Sequence, residues 1–401
     1  MIDVKRIKKD FPIFSHHPEQ IYLDSAASSL KTKTVTEMMD YYYNHLGTNV
    51  HRGAYQLSQE TTNLYEKSRA AVAKFIHAEL EEVVFTRGTT SALNMIAGSY
   101  RELLEPGDEV ITTELEHHSS IIPWMMATKR SGASLKYIPL TDEGRVTVDN
   151  FKKVLTKNTK VVAITYVSNV MGYMTPVKEI IKLAHEVGAI VVVDAAQAAP
   201  HLKIDVKQLD CDFLAFSGHK MFGPTGVGVL YGKKEVLECL EPYEYGGEMI
   251  NTIKKDYLKW QEIPTKFEAG TPVIGAAIGL QKAIEYIESI GFDEIHKHSI
   301  KLRDYTLKKL EALDGITVYN KTADIAIITL NIDGVHPHDA ATFLSEKNIA
   351  VRAGKHCAHL IADAMGMGAT LRAAFQIYND YSDCDIFVET IKEIRDFFAQ
   401  F

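Results

Sequence analysis

The chain has 401 residues, 46% hydrophobic and 24% charged, with a net charge of −8. That length suits one large domain with a smaller one, or two of similar size, and the composition is ordinary for a globular chain. The acidic balance excludes bulk nucleic-acid binding, which needs a basic footprint. No run approaches bilayer-spanning length. Small molecules or proteins are therefore the expected partners, with no nucleic acid and no membrane.

The opening "MIDVKRIKKDFPIF" is charged and then broken by proline, unlike a signal peptide. Cysteines lie at 211, 239, 357 and 384 with no C-x-x-C pair, which predicts a reduced, cytoplasmic chain and no disulfide scaffold. "EEVVFTRGTTSALNMIAGSY" predicts strand, glycine turn and helix. "GDEVITTELEHHSSIIPW" predicts strand, polar loop and helix. "KVVAITYVSN" is a β-branched strand, and "VKEIIKLAHEVG" carries helical spacing with a glycine stop. "AIVVVDAAQ", "CDFLAFSGHK" and "GVGVLYG" are further strands. Residues 235–272 break this rhythm and are expected to form long loops. "PVIGAAIGLQKAIEYIESIGF" is a long helix. Beyond it come a helix, the strands "DIAIITLNI" and "IAVRAG", a loop and two helices.

Alternating strands and helices predict an α/β fold with a mainly parallel sheet between helices, followed by a smaller α+β C-terminal domain. The expected division is an N-terminal segment 1–17 packing with the small domain, a large domain 18–290, and a small domain 291–401. Polar residues cluster after the strand ends, where open α/β sheets bind ligands.

Two of those strand ends carry chemistry together. "VVVDAAQ" delivers Asp194, and 26 residues later "FSGHK" delivers Ser217, His219 and Lys220. A strand-end lysine can form a Schiff base, and a neighbouring aspartate can keep a pyridinium nitrogen protonated. These are the two anchors of pyridoxal phosphate. Taken singly, Lys220 reads equally as a turn lysine and Asp194 as a helix cap. In "TRGTTSALN", Gly88 permits close backbone approach, while Thr89 and Thr90 offer phosphate donors at a helix N-terminus. Threonine capping is the competing reading there. Ser217 and His219 are placed to donate to the same phosphate. His117, first of two adjacent histidines, suits a ring stacked on the cofactor. A zinc pair is disfavoured because neighbouring strand side chains point to opposite faces. "VHPHD", residues 335–339, reads as a helix start and not a metal site. No metal is expected.

Cys357 lies in "VRAGKHCAHL", among Arg352, Lys355, His356 and His359. Basic neighbours favour the nucleophilic thiolate, and a glycine-containing polar loop could present sulfur. A strand-end cysteine with solvated histidines is the alternative.

In order along the chain stand "YLDSAASS", "RGTTSALN", "ELEHHSSIIPW", "VSNVMG", "VVVDAAQAAPH", "FSGHKMFGPTGVGVLYG", "GGEMI", "FEAGTP" and "VRAGKHCA". The whole resembles a cysteine desulfurase of the SufS type, in the class V aminotransferase family of pyridoxal phosphate enzymes, from about residue 12 to 400. The lysine motif alone would indicate only the cofactor; the cysteine loop and "GGEMI" point to this branch. The resemblance implies fold type I with a seven-stranded sheet. It implies Lys220 as the Schiff-base lysine, Asp194 on the pyridinium nitrogen, Gln197 on the phenolic oxygen and His117 on the ring face. Thr89, Thr90, Ser217 and His219 would hold the phosphate, and Thr271 would reach the phosphate of the second subunit of a homodimer. Asn169 would border the cofactor and, with Arg352 and Arg372, the substrate carboxylate. Cys357 would accept sulfur from L-cysteine as a persulfide and pass it to a sulfur acceptor or iron–sulfur scaffold protein. Family members often read "HHCAQP" at the cysteine, whereas this chain has Lys355, His359 and Leu360 at the differing positions, and Tyr55 where some members have histidine. Selenocysteine lyase, a true aminotransferase and a non-catalytic interaction protein remain alternatives.

Overall fold

Runs of β-branched residues without polar alternation become strands buried on both faces. The computed structural model describes residues 2–400; Met1 and Phe401, which end the two terminal segments drawn above, lie outside the described residues. The expected seven-stranded sheet is present. Its spatial order is Val83–Thr86, Gly228–Gly232, Phe213–Ser217, Ile190–Asp194, Thr159–Thr165, Glu109–Thr113 and Ser134–Ile138. Gly228–Gly232 pairs antiparallel with both neighbours, and the strands from Phe213–Ser217 to Ser134–Ile138 pair in parallel. Successive residues go to opposite faces. Val191 and Val193 join one hydrophobic cluster, while Val192 joins the other, beneath the helix Thr89–Arg101.

Parallel pairing brings the strand ends to one edge. Thr165 lies in register with Asp194, and Asp194 with Ala215. The segments after Thr86, Thr113, Thr165, Asp194 and Ser217 therefore leave the sheet on the same side, with their polar residues close together.

The C-terminal part forms a four-stranded antiparallel sheet in the order Ile316–Val318, Ile327–Ile332, Thr370–Ala374, Arg352–Gly354. The long helices Phe292–Leu310 and Tyr381–Phe398 pack on its own hydrophobic cluster. Gly291, at φ 88°, separates the helix Ile274–Ile290 from Phe292–Leu310. The N-terminal segment touches both parts of the chain. The Phe11 ring lies 5.6 Å from Phe222 and 5.0 Å from Tyr378.

Three local expectations change. Residues 235–272 are not all loop: they hold the helix Lys234–Cys239 and a hairpin of Ile250–Lys254 with Tyr257–Trp260. "IAVRAG" splits at Val351. Ile349–Ala350 pairs with Ile21–Tyr22, and Arg352–Gly354 joins the small sheet. The loop expected before the last helices contains the strand Thr370–Ala374, which carries Arg372. No helix among the described residues is long and apolar enough to cross a membrane.

Candidate active site

Asp194 ends a central strand and Lys220 closes the turn after the adjacent one, so both enter the space above the sheet edge. Asp194 is buried and Lys220 half-buried. Desolvation pushes the Lys220 ammonium down to about 8, against the opposing pull of Asp194. Asp194 is raised by the same desolvation, against an Ala196 N–H donated to its Oδ1 at 2.9 Å and the charge of Lys220. Gln197 uses Nε2 to donate to the Ala26 carbonyl at 2.5 Å, which fixes its amide over the same cavity.

Gly88, at φ 150°, precedes the helix Thr89–Arg101. A Cβ there would meet Ser217 Oγ at 3.4 Å. Thr89 donates its N–H to Ser217 Oγ at 2.7 Å, and the two hydroxyls are also 2.7 Å apart. The Thr90 hydroxyl lies 2.6 Å from Ser119 Oγ. His219 Nδ1 lies 3.3 Å from Ser28 Oγ, and its ring is pushed down to about 4 by burial, then by Lys220 and Lys31.

His117 caps the helix His118–Ser131. Its Nδ1 accepts the Ser119 N–H at 3.1 Å, which leaves its proton on Nε2. Burial, then Lys220, lowers the ring to about 3, so it is neutral at ordinary pH. Directly before it, Glu116 is buried. Its Oε1 accepts from Thr165 N–H at 2.8 Å and from the Thr113 hydroxyl at 2.9 Å, and its Oε2 has no partner.

On the opposite wall Arg352 and Arg372 face each other across two small-sheet strands. Like charges opposite one another destabilise a strand pair, and Asp24 relieves this by binding both. It accepts from Arg352 Nη2 at 3.1 Å and Arg372 Nη2 at 3.4 Å. Arg372 is buried and desolvation lowers it to about 10, yet its Nε has no partner. Its Nη1 donates to the Asn169 carbonyl at 2.8 Å.

Cys357 is exposed at the cavity, in a loop where His356 (φ 51°) and Cys357 (φ 54°) both take the left-handed conformation. The basic residues flanking it in sequence do not gather around the sulfur. Lys355 pairs with Asp363 at 2.7 Å, Arg352 is held by Asp24, and His359 meets His118 at 2.9 Å. His356 is buried, bonded to the Thr370 hydroxyl at 2.8 Å and lowered to about 3 by desolvation. Lys220 and Arg372, neither of them in the cysteine segment, do feel a charge on Cys357.

Twelve of the residues singled out in the sequence line one open cavity: Thr89, Thr90, His117, Asn169, Asp194, Gln197, Ser217, His219, Lys220, Arg352, Cys357 and Arg372. Thr271 does not. It is exposed in the neighbouring cleft beside Glu268. The 335–339 segment starts the helix Pro337–Glu346, with His336 as its cap. Sequence reasoning missed Asp24, Ser119 and Glu116. "TELEHH" displayed Glu116, and only its burial without a cation marks it out.

Pyridoxal phosphate fits these residues. The glycine-lined turn leaves backbone and hydroxyl donors at the start of a 13-residue helix for a phosphate. A buried carboxyl and a half-buried amine share the cavity for the ring nitrogen and the aldehyde. The partnerless Arg372 Nε and His356 Nδ1 show that this polar set is incomplete without a ligand.

A family model described as aminotransferase class-V matches residues 21–387. A probable cysteine desulfurase of Halalkalibacterium halodurans is 48% identical over 403 residues, covering 99% of each chain. Among solved structures, the apo cysteine desulfurase of Thermococcus onnurineus superposes with a TM-score of 0.94 at 41% identity, over 99% of this chain and 98% of that one. The S-sulfonic acid form of the Escherichia coli cysteine desulfurase CsdA gives 0.93 at 36%, over 99% of each.

Proposed function

The chain belongs to the class-V aminotransferase family, and from that premise we propose that it is a pyridoxal phosphate-dependent cysteine desulfurase, converting L-cysteine to L-alanine and taking the sulfur onto Cys357. The observation that carries this reading is the placement of Lys220, Asp194 and Cys357 on one cavity. A cysteine at that position separates a desulfurase from a simple aminotransferase, which has no use for it.

When bound, the cofactor supplies an electron sink for charge developing at the substrate Cα. Thr89, Thr90, Ser217 and His219 hold its phosphate. Asp194 holds a proton on the ring nitrogen, and Gln197 steadies the phenolic oxygen. His117, neutral and fixed by Ser119, would cover the ring face and exclude water. Arg372 offers its free Nε to the substrate carboxylate, with Arg352 and Asn169 beside it. Lys220, lowered to about 8, is close enough to neutrality for its Nζ to take a proton from Cα and return one. The Cys357 thiolate, a soft nucleophile, attacks the substrate sulfur. An S–S bond forms, the Cβ–S bond breaks, and its electron pair stays with the carbon, which takes up a proton to become the methyl of alanine.

The persulfide is then passed to an acceptor, with iron–sulfur cluster assembly as the use. The chain acts as a homodimer in the cytoplasm. Two features support the dimer. Thr271 lies outside its own cavity, and the hairpin exposes Ile253, Tyr257 and Leu258. Four free cysteines support the reducing compartment.

Protein loaded with pyridoxal phosphate and given L-cysteine with reductant should produce alanine, measured by chromatography. Full cofactor loading without alanine would overturn the assignment.

A further inference from the structure

The Cys357 loop is held on its cavity side by bonds to buried partners. Asn169 Nδ2 donates to the His356 carbonyl at 2.8 Å, and His356 Nε2 meets the Thr370 hydroxyl at 2.8 Å. Consecutive non-glycine residues in the left-handed region are costly, and such a loop persists only where its surroundings over-determine it. On its solvent side two contacts hold it. The Cys357 carbonyl accepts the His118 N–H at 2.8 Å. The His118 and His359 rings stack at 4.7 Å between centroids, 28° apart, with His359 Nδ1 2.9 Å from His118 Nε2.

Two imidazole nitrogens at that distance share one hydrogen. The main-chain N–H of His359 also approaches His118 Nε2, at 3.4 Å, so that atom is the acceptor and His359 the donor. His118 is thus neutral, with its own proton on Nδ1. One further proton only reverses the bond, with His118 Nε2–H donating to His359 Nδ1; a proton on both rings leaves two donors facing each other and no lone pair between them.

We propose that His118 and His359 form a proton-sensitive catch that positions the Cys357 loop over the cavity, closed while at least one of the two rings is neutral and released when both carry a proton. This rests on the reading of Cys357 as the sulfur acceptor. Burial and then His359 lower His118, and the first charge opposes the second, so release comes on the acid side of the ordinary histidine value of ~6.5. The charged and titratable groups around the pair are His117, with its ring 6.3 Å from His118, Cys357 itself, and the Lys355–Asp363 ion pair on the same side of the loop. Lys220 and Arg372 face the sulfur from within. None supplies a replacement acceptor for His359 Nδ1.

The test is deuterium uptake by the peptide spanning residues 355–362 in the cofactor-loaded protein, at pH 8 and pH 5.5, corrected for intrinsic exchange, alongside kcat and KM for alanine formation. Wild type should be protected at pH 8 and should lose protection on going to pH 5.5. His359→Leu should exchange at least fivefold faster than wild type at pH 8, with kcat down three- to tenfold and KM within twofold. His359→Gln, which keeps a donor, should restore protection at pH 8. Equal protection of wild type at both pH values, or of His359→Leu and wild type at pH 8, overturns the catch. Lost protection with unchanged kcat overturns its positioning role. Alanine output from Cys357→Ala decides separately whether Cys357 accepts sulfur at all.

Discussion

Asn169 joins two parts of the site: its side-chain amide donates to the His356 carbonyl at 2.8 Å, and its own carbonyl accepts from Arg372 at 2.8 Å. The loop after the strand Thr159–Thr165 therefore holds both the cysteine loop and Arg372, the arginine proposed to bind the substrate carboxylate. Asn169→Ala leaves the buried His356 carbonyl unpaired, a loss of about 1–3 kcal/mol. Steady-state kinetics should show kcat reduced and KM raised together, by about tenfold overall. A change in KM alone would break the link to the cysteine loop.

Lys220 is the sole amine that shares the cavity lining with Asp194. Lys220→Ala removes the proposed base at Cα, which should lower kcat by at least ~10³, while the proposed phosphate donors at Thr89 and Ser217 should still bind the cofactor. Borohydride reduction followed by denaturation and mass spectrometry should find the cofactor attached to wild type and absent from the variant. A variant that keeps covalent cofactor would place the linkage on another lysine.

Glu116 gives a pH signature. Burial raises its carboxyl from an ordinary 4.5 to about 8. A raised acid stabilises the fold below the unfolded value, and that contribution is lost as pH climbs through the folded value. Between pH 4.5 and 8 it is worth roughly 5 kcal/mol. Glu116→Gln keeps the acceptor for Thr165 and Thr113 and has no proton to lose. Urea unfolding should therefore show the variant gaining stability relative to wild type by several kcal/mol from pH 5 to pH 8.5. A constant difference across that range would mean that Glu116 is ionised throughout.

Arg69 and Glu268 form a buried pair, Nη1 to Oε1 at 2.7 Å, and Glu268 also accepts the Phe85 N–H at 2.7 Å. The pair ties the helix Gln56–Ile76 to the turn that carries Thr271. Arg69→Ala leaves a buried carboxylate without its cation, at a cost of about 3–5 kcal/mol. Denaturant midpoints should fall accordingly. A loss under 1 kcal/mol would mean that water or Tyr65 replaces the arginine.

Most of the large sheet and its strand-end residues were legible because strands buried on both faces leave unbroken apolar runs, several of which end on a polar residue that the sheet edge collects; the edge strand Ser134–Ile138, only partly buried, was not read from the residues. The hairpin Ile250–Lys254 with Tyr257–Trp260 was not, since its strands are mostly exposed and carry no burial pattern. The short strand Thr370–Ala374 hid behind Arg372, a charge buried only because Asp24, 348 positions earlier, lies beside it. The environment of Cys357 was only partly legible: adjacency in sequence suggested four basic neighbours, whereas folding pairs Lys355, Arg352 and His359 with other residues and adds the charges of Lys220 and Arg372.

The central claim is that Cys357 takes the sulfur. The most direct measurement is alanine formed from L-cysteine by wild type and by Cys357→Ala, both loaded with pyridoxal phosphate and with reductant present. The account predicts alanine from wild type and a loss of at least ~10²-fold in the variant, as expected when an attacking nucleophile is removed. Equal alanine from both proteins would contradict it, leaving Cys357 a bystander at the cavity and the chain a lyase.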